Sequence, residues 1–196
     1  MIRRLLAPVL LCLLALPAAA QELSLNQISA YLNSIGTAKA QFTQVNEDGT
    51  ISKGTIFIKR PGRVRFEYDP PNDSLVVASG GEVLIVDPKS NTPPESYPLS
   101  RTPLSIILAQ NVDLSRANMV TGKDYDGTAT TVTAQDPQHP EYGRIKLKFT
   151  GPTPQLRQWV ITNESGSQTT VVLGELQTGV GINNSMFRVR EMGSNR

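Results

Sequence analysis

From Ala38 to Leu173 the sequence is a succession of short runs in which apolar and polar residues alternate, each cut off by turn formers. Ala38, Ala40 and Phe42 alternate with Lys39, Gln41 and Thr43, and Glu47-Asp48-Gly49 then turns the chain. Runs follow at Gly54 to Lys59 and Gly62 to Tyr68, and at Leu75 to Ala78 and Val83 to Val86 on either side of Ser79-Gly80-Gly81. Others lie around Tyr97 and at Thr128 to Ala134, Arg144 to Phe149, Leu156 to Thr162 and Thr169 to Leu173. Period-two alternation gives each run one dry and one wet face, which defines a strand. Connections this tight join antiparallel neighbours, because a parallel pair needs a long crossover. Roughly ten such strands predict one antiparallel sheet large enough to curl.

Two segments break the pattern. Leu25, Ile28, Leu32 and Ile35 form one stripe at helical spacing. Ser24 stands at the cap, Gln27 completes a capping box, Leu23 can staple onto Ile28, and Gly36 offers a stop. An amphipathic helix with one covered face is predicted. The second segment is Thr102 to Gln110, with Thr102 as N-cap and Pro103 at the first helical position. Leu104, Ile106, Ile107, Leu108 and Ala109 are apolar nearly all the way round. Such a helix is buried on more than one side, between the sheet and something else or in the sheet's mouth.

The N-terminus reads as an export signal. Arg3 and Arg4 precede an apolar core from Leu5 to Leu16, Pro17 breaks it, and Ala18-Ala19-Ala20 supplies small residues for cleavage before Gln21. The core is short of the roughly 20 residues a spanning anchor needs. Residues 1–20 are therefore expected to be a cleaved signal peptide, with 21–196 forming a single domain. Cys12, the only cysteine, follows Leu11 rather than a small residue at the end of the core, so it is expected to be discarded rather than acylated. With the leader go two of the 19 basic residues, leaving 17 against 17 acidic ones. A neutral mature chain argues against nucleic acid as partner.

Catalytic chemistry is scarce. His139 is the only histidine and lies in a polar loop between Pro137 and Pro140. There is no Gly-x-Ser-x-Gly elbow, no phosphate loop and no metal-ligand cluster. Asp124, Asp126 and Gly127 read as a hairpin turn, not a calcium loop. Neither enzyme activity nor a cofactor nor a metal is expected.

The most telling stretch is Lys59-Arg-Pro-Gly-Arg-Val-Arg-Phe-Glu-Tyr-Asp-Pro-Pro71. Val64, Phe66 and Tyr68 alternate with Arg63, Arg65 and Glu67, which places Arg63 and Arg65 on a solvated face. Arg60 stands apart, because Pro61 interrupts the alternation and holds the residue before it extended. This Arg-Pro, strand and acidic-Pro turn closely resembles the lipoprotein carrier family LolA. Asp73-Ser-Leu-Val-Val-Ala-Ser-Gly-Gly81, Thr102-Pro-Leu-Ser-Ile-Ile-Leu-Ala109 and Asn184-Ser-Met-Phe-Arg-Val189 resemble the family's pattern in the same order and spacing. The likeness runs over roughly Leu23 to Val189. Phe66 departs from it, standing where many members have tryptophan.

The resemblance implies a mainly β fold with a few helices: an unclosed antiparallel β-barrel capped by short helices around an apolar cavity for acyl chains. It implies that Arg60 latches a lid, with partners near Ile107 and Leu108 and with Val76 on the adjoining strand. The last carbonyls of a helix lack intrahelical partners, and a guanidinium offers five donors in a fixed fork. Phe42, Val64, Phe66 and Leu75 are candidate cavity residues, with Leu104 and Ile107 on the lid. The implied role is a monomeric periplasmic chaperone, taking acylated lipoproteins from a LolCDE-type ABC transporter in the inner membrane. It would deliver them to a LolB-like acceptor or to the outer membrane itself. Two alternatives share the fold: an acceptor of the LolB type, which the non-lipoprotein signal disfavours, and an envelope lipid- or lipoprotein-sensing module, which the lack of room for a second domain disfavours.

Overall fold

The computed structural model describes residues 21–116 and 118–189. The export segment read at residues 1–20 lies outside the described residues. In chain order the elements are α1 (Leu25–Ser34), β1 (Thr37–Val45), β2 (Ile51–Lys59), β3 (Arg63–Tyr68), β4 (Leu75–Ser79), β5 (Glu82–Val86), β6 (Glu95–Pro98), α2 (Leu104–Leu108), β7 (Val120–Tyr125), β8 (Ala129–Gln135), β9 (Arg144–Thr150), β10 (Gln155–Thr162), β11 (Gln168–Leu173) and β12 (Gln177–Thr178). Eleven strands form one antiparallel path, β6-β5-β4-β3-β2-β1-β11-β10-β9-β8-β7, and β12 adds to β1. It is thus two meanders joined where β1 meets β11. The edge strands β6 and β7 do not pair, so the barrel is unclosed. Residues 99–119, which contain α2, connect one free edge to the other.

β7 and β12 escaped the sequence pattern for a physical reason. β7 is an edge strand with no fully buried residue, and β12 is two exposed residues long. Neither needs alternation to lie where it does. The turn between β7 and β8 is a hairpin, as read: the Asp126 carboxylate accepts from Ala129 N (2.8 Å) and Thr128 N (2.9 Å), and Gly127 takes φ +86°.

The capping box of α1 is present, with Gln27 N donating to Ser24 Oγ (3.2 Å) and Ser24 N donating to Gln27 Oε1 (2.9 Å). Leu23, Ile28 and Leu32 are buried in the core. Its end differs from expectation. Ile35 caps the helix by donating to Leu32 O (3.3 Å) and turns extended, so no left-handed glycine is required. The Gly36 carbonyl instead accepts from Arg60 N (2.8 Å). α2 is also shorter than predicted, because Thr102 turns back to donate its hydroxyl to Leu99 O (2.9 Å) rather than capping the helix. Leu104, Ile106, Ile107 and Leu108 are all buried, in keeping with an apolar surface all round.

Both helices pack with the inward faces of the strands into one core. On that inner face Gly54 of β2 stands in register between Phe42 of β1 and Tyr68 of β3. Lacking a side chain, it lets the two rings meet edge to face over it, 5.2 Å apart. Phe42 meets Phe66 at 5.4 Å, and Phe66 meets Trp159 of β10 at 6.3 Å.

The outer face of β2, β3 and β4 is not the solvated surface that alternation suggested. Ile182 and Phe187, from the segment after β12, pack there against Val77, Phe57 and Leu75 as a second, smaller core. Arg65 holds this segment by donating to Met186 O (2.8 Å) and pairs with Glu67 (2.6 Å). Lys59 donates to Ile182 O (2.8 Å), and Arg63 is half-buried. A stretch closing back on a sheet from more than 100 residues away leaves no trace in the strand's own period.

Candidate functional site: an arginine between two helix ends

Arg60 begins the turn from β2 to β3, and that turn faces the C-terminal ends of both helices. Its guanidinium donates through Nη1 to Leu32 O in the last turn of α1. Through Nη2 it donates to Ala109 O, just past α2 (2.6 Å), and to the Asn33 side-chain oxygen (3.1 Å). The backbone joins in, since Gly62 N donates to Leu108 O (2.9 Å). Carbonyls at a helix C-terminus lack intrahelical donors and carry partial negative charge, so a cation is favoured there. One planar fork reaches two such ends at once, through Nη1 to α1 and Nη2 to the end of α2.

Among the described residues no carboxylate pairs with Arg60; carbonyls and one amide hold it. Burial lowers its pKa from the ordinary arginine value, and a guanidinium remains charged regardless. Such a clamp is modest in strength. Hydrogen bonds from a charged donor contribute about 1.5–3 kcal/mol.

Asn33, unremarked in the sequence, is the second member of the clamp. Its side chain accepts from Val112 N (2.8 Å) and donates to Val112 O (2.8 Å) and to Asn111 Oδ1 (3.1 Å). It ties the chain after α2 to α1 while presenting an oxygen to Arg60. The only available signal was an amide beside an apolar helical stripe, which is common on any surface helix. Ser29 adds a further tie, its hydroxyl accepting from Leu114 N (3.0 Å).

The other predicted residues fall as follows. Ile107 and Leu108 are buried on α2, and the carbonyl bonded to Arg60 is that of the next residue, Ala109, just past the helix. Val76 lies on the inner face of β4, in register with Phe66. Phe42, Val64, Phe66, Leu104 and Ile107 all belong to the main core. Leu75 does not. It pairs with Glu67, whose side chain points outward, so parity turns Leu75 out toward the C-terminal segment and leaves Val76 and Ala78 facing in. The sequence run Leu75-Val-Val-Ala78 is apolar on both faces and could not reveal that parity. Leu75 instead lines an outer cleft of about 570 Å³ with Arg65, Glu67, Val86, Met186 and Arg188, on the far side of the sheet from Arg60.

An unclosed antiparallel sheet, an inward face paved with apolar and aromatic side chains, and helices clamped by a single arginine define a carrier-like class of half-barrel. The family model described as outer membrane lipoprotein carrier protein LolA matches residues 33–190, and the chain belongs to that family. An outer-membrane lipoprotein carrier protein of Methylobacillus flagellatus is 24% identical over 183 residues, covering 89% of this chain and 88% of its own. One from Coxiella burnetii is 22% identical over 181 residues, covering 88% and 85%. Among solved structures, a LolA superfamily protein from Nitrosomonas europaea aligns at TM-score 0.40 and 9% identity, over 85% of this chain and 98% of that one. Among the described residues no helix is long and apolar enough to cross a membrane.

Proposed function

We propose that this protein is a periplasmic lipoprotein carrier and not an enzyme. It takes acylated lipoproteins from a LolCDE-type transporter in the inner membrane and releases them to a LolB-like acceptor or to the outer membrane itself. Phe42, Val64, Phe66, Leu104 and Ile107 form the acyl-binding interior. Arg60 and Asn33 latch the lid made of α2 and the chain after it. The observation that carries this reading is Arg60 donating to the terminal carbonyls of both helices. Those bonds exist only while α1 and α2 stand together over the sheet, so separating the helices to admit a chain must break them.

The energetics call for a competing closed conformation. Three acyl chains of about 16 carbons gain roughly 35–40 kcal/mol gross at about 0.8 kcal/mol per CH₂. Practical non-covalent affinity ends near 20 kcal/mol. A carrier that buried everything would never unload, and a latch that favours closure offsets part of that gain.

The test separates loading from unloading. Arg60→Leu removes the charged donors from the closed conformation and shifts the open–closed balance about tenfold to a hundredfold toward open. It should accept lipoprotein from inner-membrane vesicles and release it poorly. Arg63→Leu, at a position with outward parity on β3 and an unpartnered Nε, should transfer nearly normally. Equal behaviour of the two variants would refute the latch.

A further inference from the structure

Trp159 is the only tryptophan of the chain, and its indole N–H is buried without a hydrogen-bond acceptor among the described residues. The residue is 1% exposed and lies on the inner face of β10, in register with Leu147 on β9 and Val171 on β11. Phe66 closes over it from the opposite wing of the sheet. Its in-register neighbours are aliphatic and its ring contact is aromatic. A buried donor with no acceptor is unfavourable, and tryptophan belongs in a core only where its N–H can reach a partner. Leucine or phenylalanine would pave this position without that cost.

The inward aim of the indole comes from a specific local device. The ladder between β9 and β10 shifts register between Leu156 and Gln158. Leu156 is buried, Arg157 is exposed, and Trp159, three residues beyond Leu156, is buried again. Strict alternation from Leu156 would turn residue 159 outward, so the bulge re-aims the indole into the interior. Tyr68, another polar ring of the inner face, already donates its hydroxyl to Gln44 Oε1 (2.8 Å). Trp159 is left as a ring donor with nothing to give its proton to.

We propose that the Trp159 Nε1–H recognises the ester carbonyl oxygen at the head of a bound acyl chain, so that the protein reads the ester linkage as well as the hydrocarbon. This rests on the carrier reading given above. An acyl ester is hydrocarbon except at its oxygens, which only accept; an indole N–H only donates. A carbonyl drawn into an apolar interior loses its water and must find a donor or carry the desolvation penalty. Trp159 supplies that donor in the part of the wall facing Phe66. Ligands of the same length without a carbonyl are held by burial alone.

The experiment uses the mature chain and two synthetic probes, a dipalmitoylglyceryl-cysteine peptide with ester links and its dialkyl-ether counterpart of equal chain length. The wild type should bind the ester probe about three- to tenfold more tightly than the ether probe, the ratio expected of one net hydrogen bond. Trp159→Phe should abolish that preference by weakening ester binding alone. Because the wild type has one tryptophan, it gives one indole N–H resonance, which should move downfield with the ester probe and not with the ether. That spectrum decides the matter by itself should the variant fold poorly. Equal affinities in the wild type would overturn the donor role and leave the carrier reading standing. So would an ester preference that survives in Trp159→Phe. Binding of neither probe by folded wild type would overturn both.

Discussion

The ring of Phe66 stands edge-on to Trp159 with 6.3 Å between centroids, although β2, β1 and β11 separate their strands in the sheet. Measured along the hydrogen-bonding direction, four strand spacings are about 19 Å. The two wings therefore curl until their inner faces touch, and an occupant lodged between these rings must part them. Trp159 emission should respond to saturable binding of a fatty-acyl probe. A probe that binds and leaves the emission unchanged would place the acyl chains elsewhere.

Asn33→Ala should act on both stability and transfer. It leaves the N–H and C=O of Val112 without their partners and takes one acceptor from Arg60. A loss of about 2–3 kcal/mol in urea unfolding is expected, together with slower unloading. Asn33→Asp should differ in degree during transfer. A carboxylate keeps the contacts from Arg60 and Val112 N and strengthens the first, but it cannot donate to Val112 O or Asn111 Oδ1, so unloading is slowed less than in Asn33→Ala. Identical transfer defects in the two variants would show that Asn33 serves folding alone.

Gly54→Ala tests the paving of the interior. A Cβ there would run into the Glu67 carbonyl oxygen and come within 2.9 Å of Phe42 Cε1. Backbone on a neighbouring strand cannot give way cheaply, so a destabilisation of about 2–3 kcal/mol or more is expected. A variant as stable as wild type in chemical denaturation would contradict the close approach of β2 to β3 and to the Phe42 ring.

The fold was legible in the sequence wherever one face of a strand is wet. The runs at 38–43, 144–149 and 169–173 alternate because one side meets solvent, and the capping box at Ser24 and Gln27 is a local rule. Legibility failed where something distant covers the wet face. Arg65 and Leu75 lie under the segment around Phe187, and nothing in the 63–79 stretch announces it. Arg60 stood apart because Pro61 breaks the period, but its latch role came from the resemblance to the LolA family. Asn33 could not be singled out, since its partners at 60, 111 and 112 meet it only after the sheet has curled. Trp159 was hidden by the bulge, which changes parity without changing composition.

Phe187→Ala should separate the two faces of the sheet. Phe187 is 3% exposed in the outer core. Its truncation should cost about 2–3 kcal/mol, at or below the low end for buried phenylalanine because the cluster is small. Limited proteolysis should then cut after β12, while acyl-probe affinity stays within about twofold of wild type. A large loss of affinity would mean that the outer cleft, not the inner face, takes the ligand.

Tyr68 gives the fold an alkaline limit. Burial, against a smaller opposing effect of the Gln44 hydrogen bond, pushes its phenol up to about 12. The unfolded phenol ionises near about 10. The contribution is thus fully present below pH 10 and is lost as pH rises toward 12. Between pH 9 and pH 11 the wild type should lose about 1–1.5 kcal/mol more stability than Tyr68→Phe. Parallel losses in the two proteins would show that the phenol is not buried in solution.

The unpaired edges β6 and β7 make this wall a split ring rather than a hoop. A hoop of strands is inextensible: it grows only by rupturing ladders or by slipping them a whole step. A split ring flexes, and among the described residues the chain passes from one free edge to the other through the connection between β6 and β7 that carries α2. On the carrier reading, slack in that tether and not the number of staves would set capacity. Inserting a few glycines near Asn111 should let the protein accept bulkier loads before the walls themselves weaken.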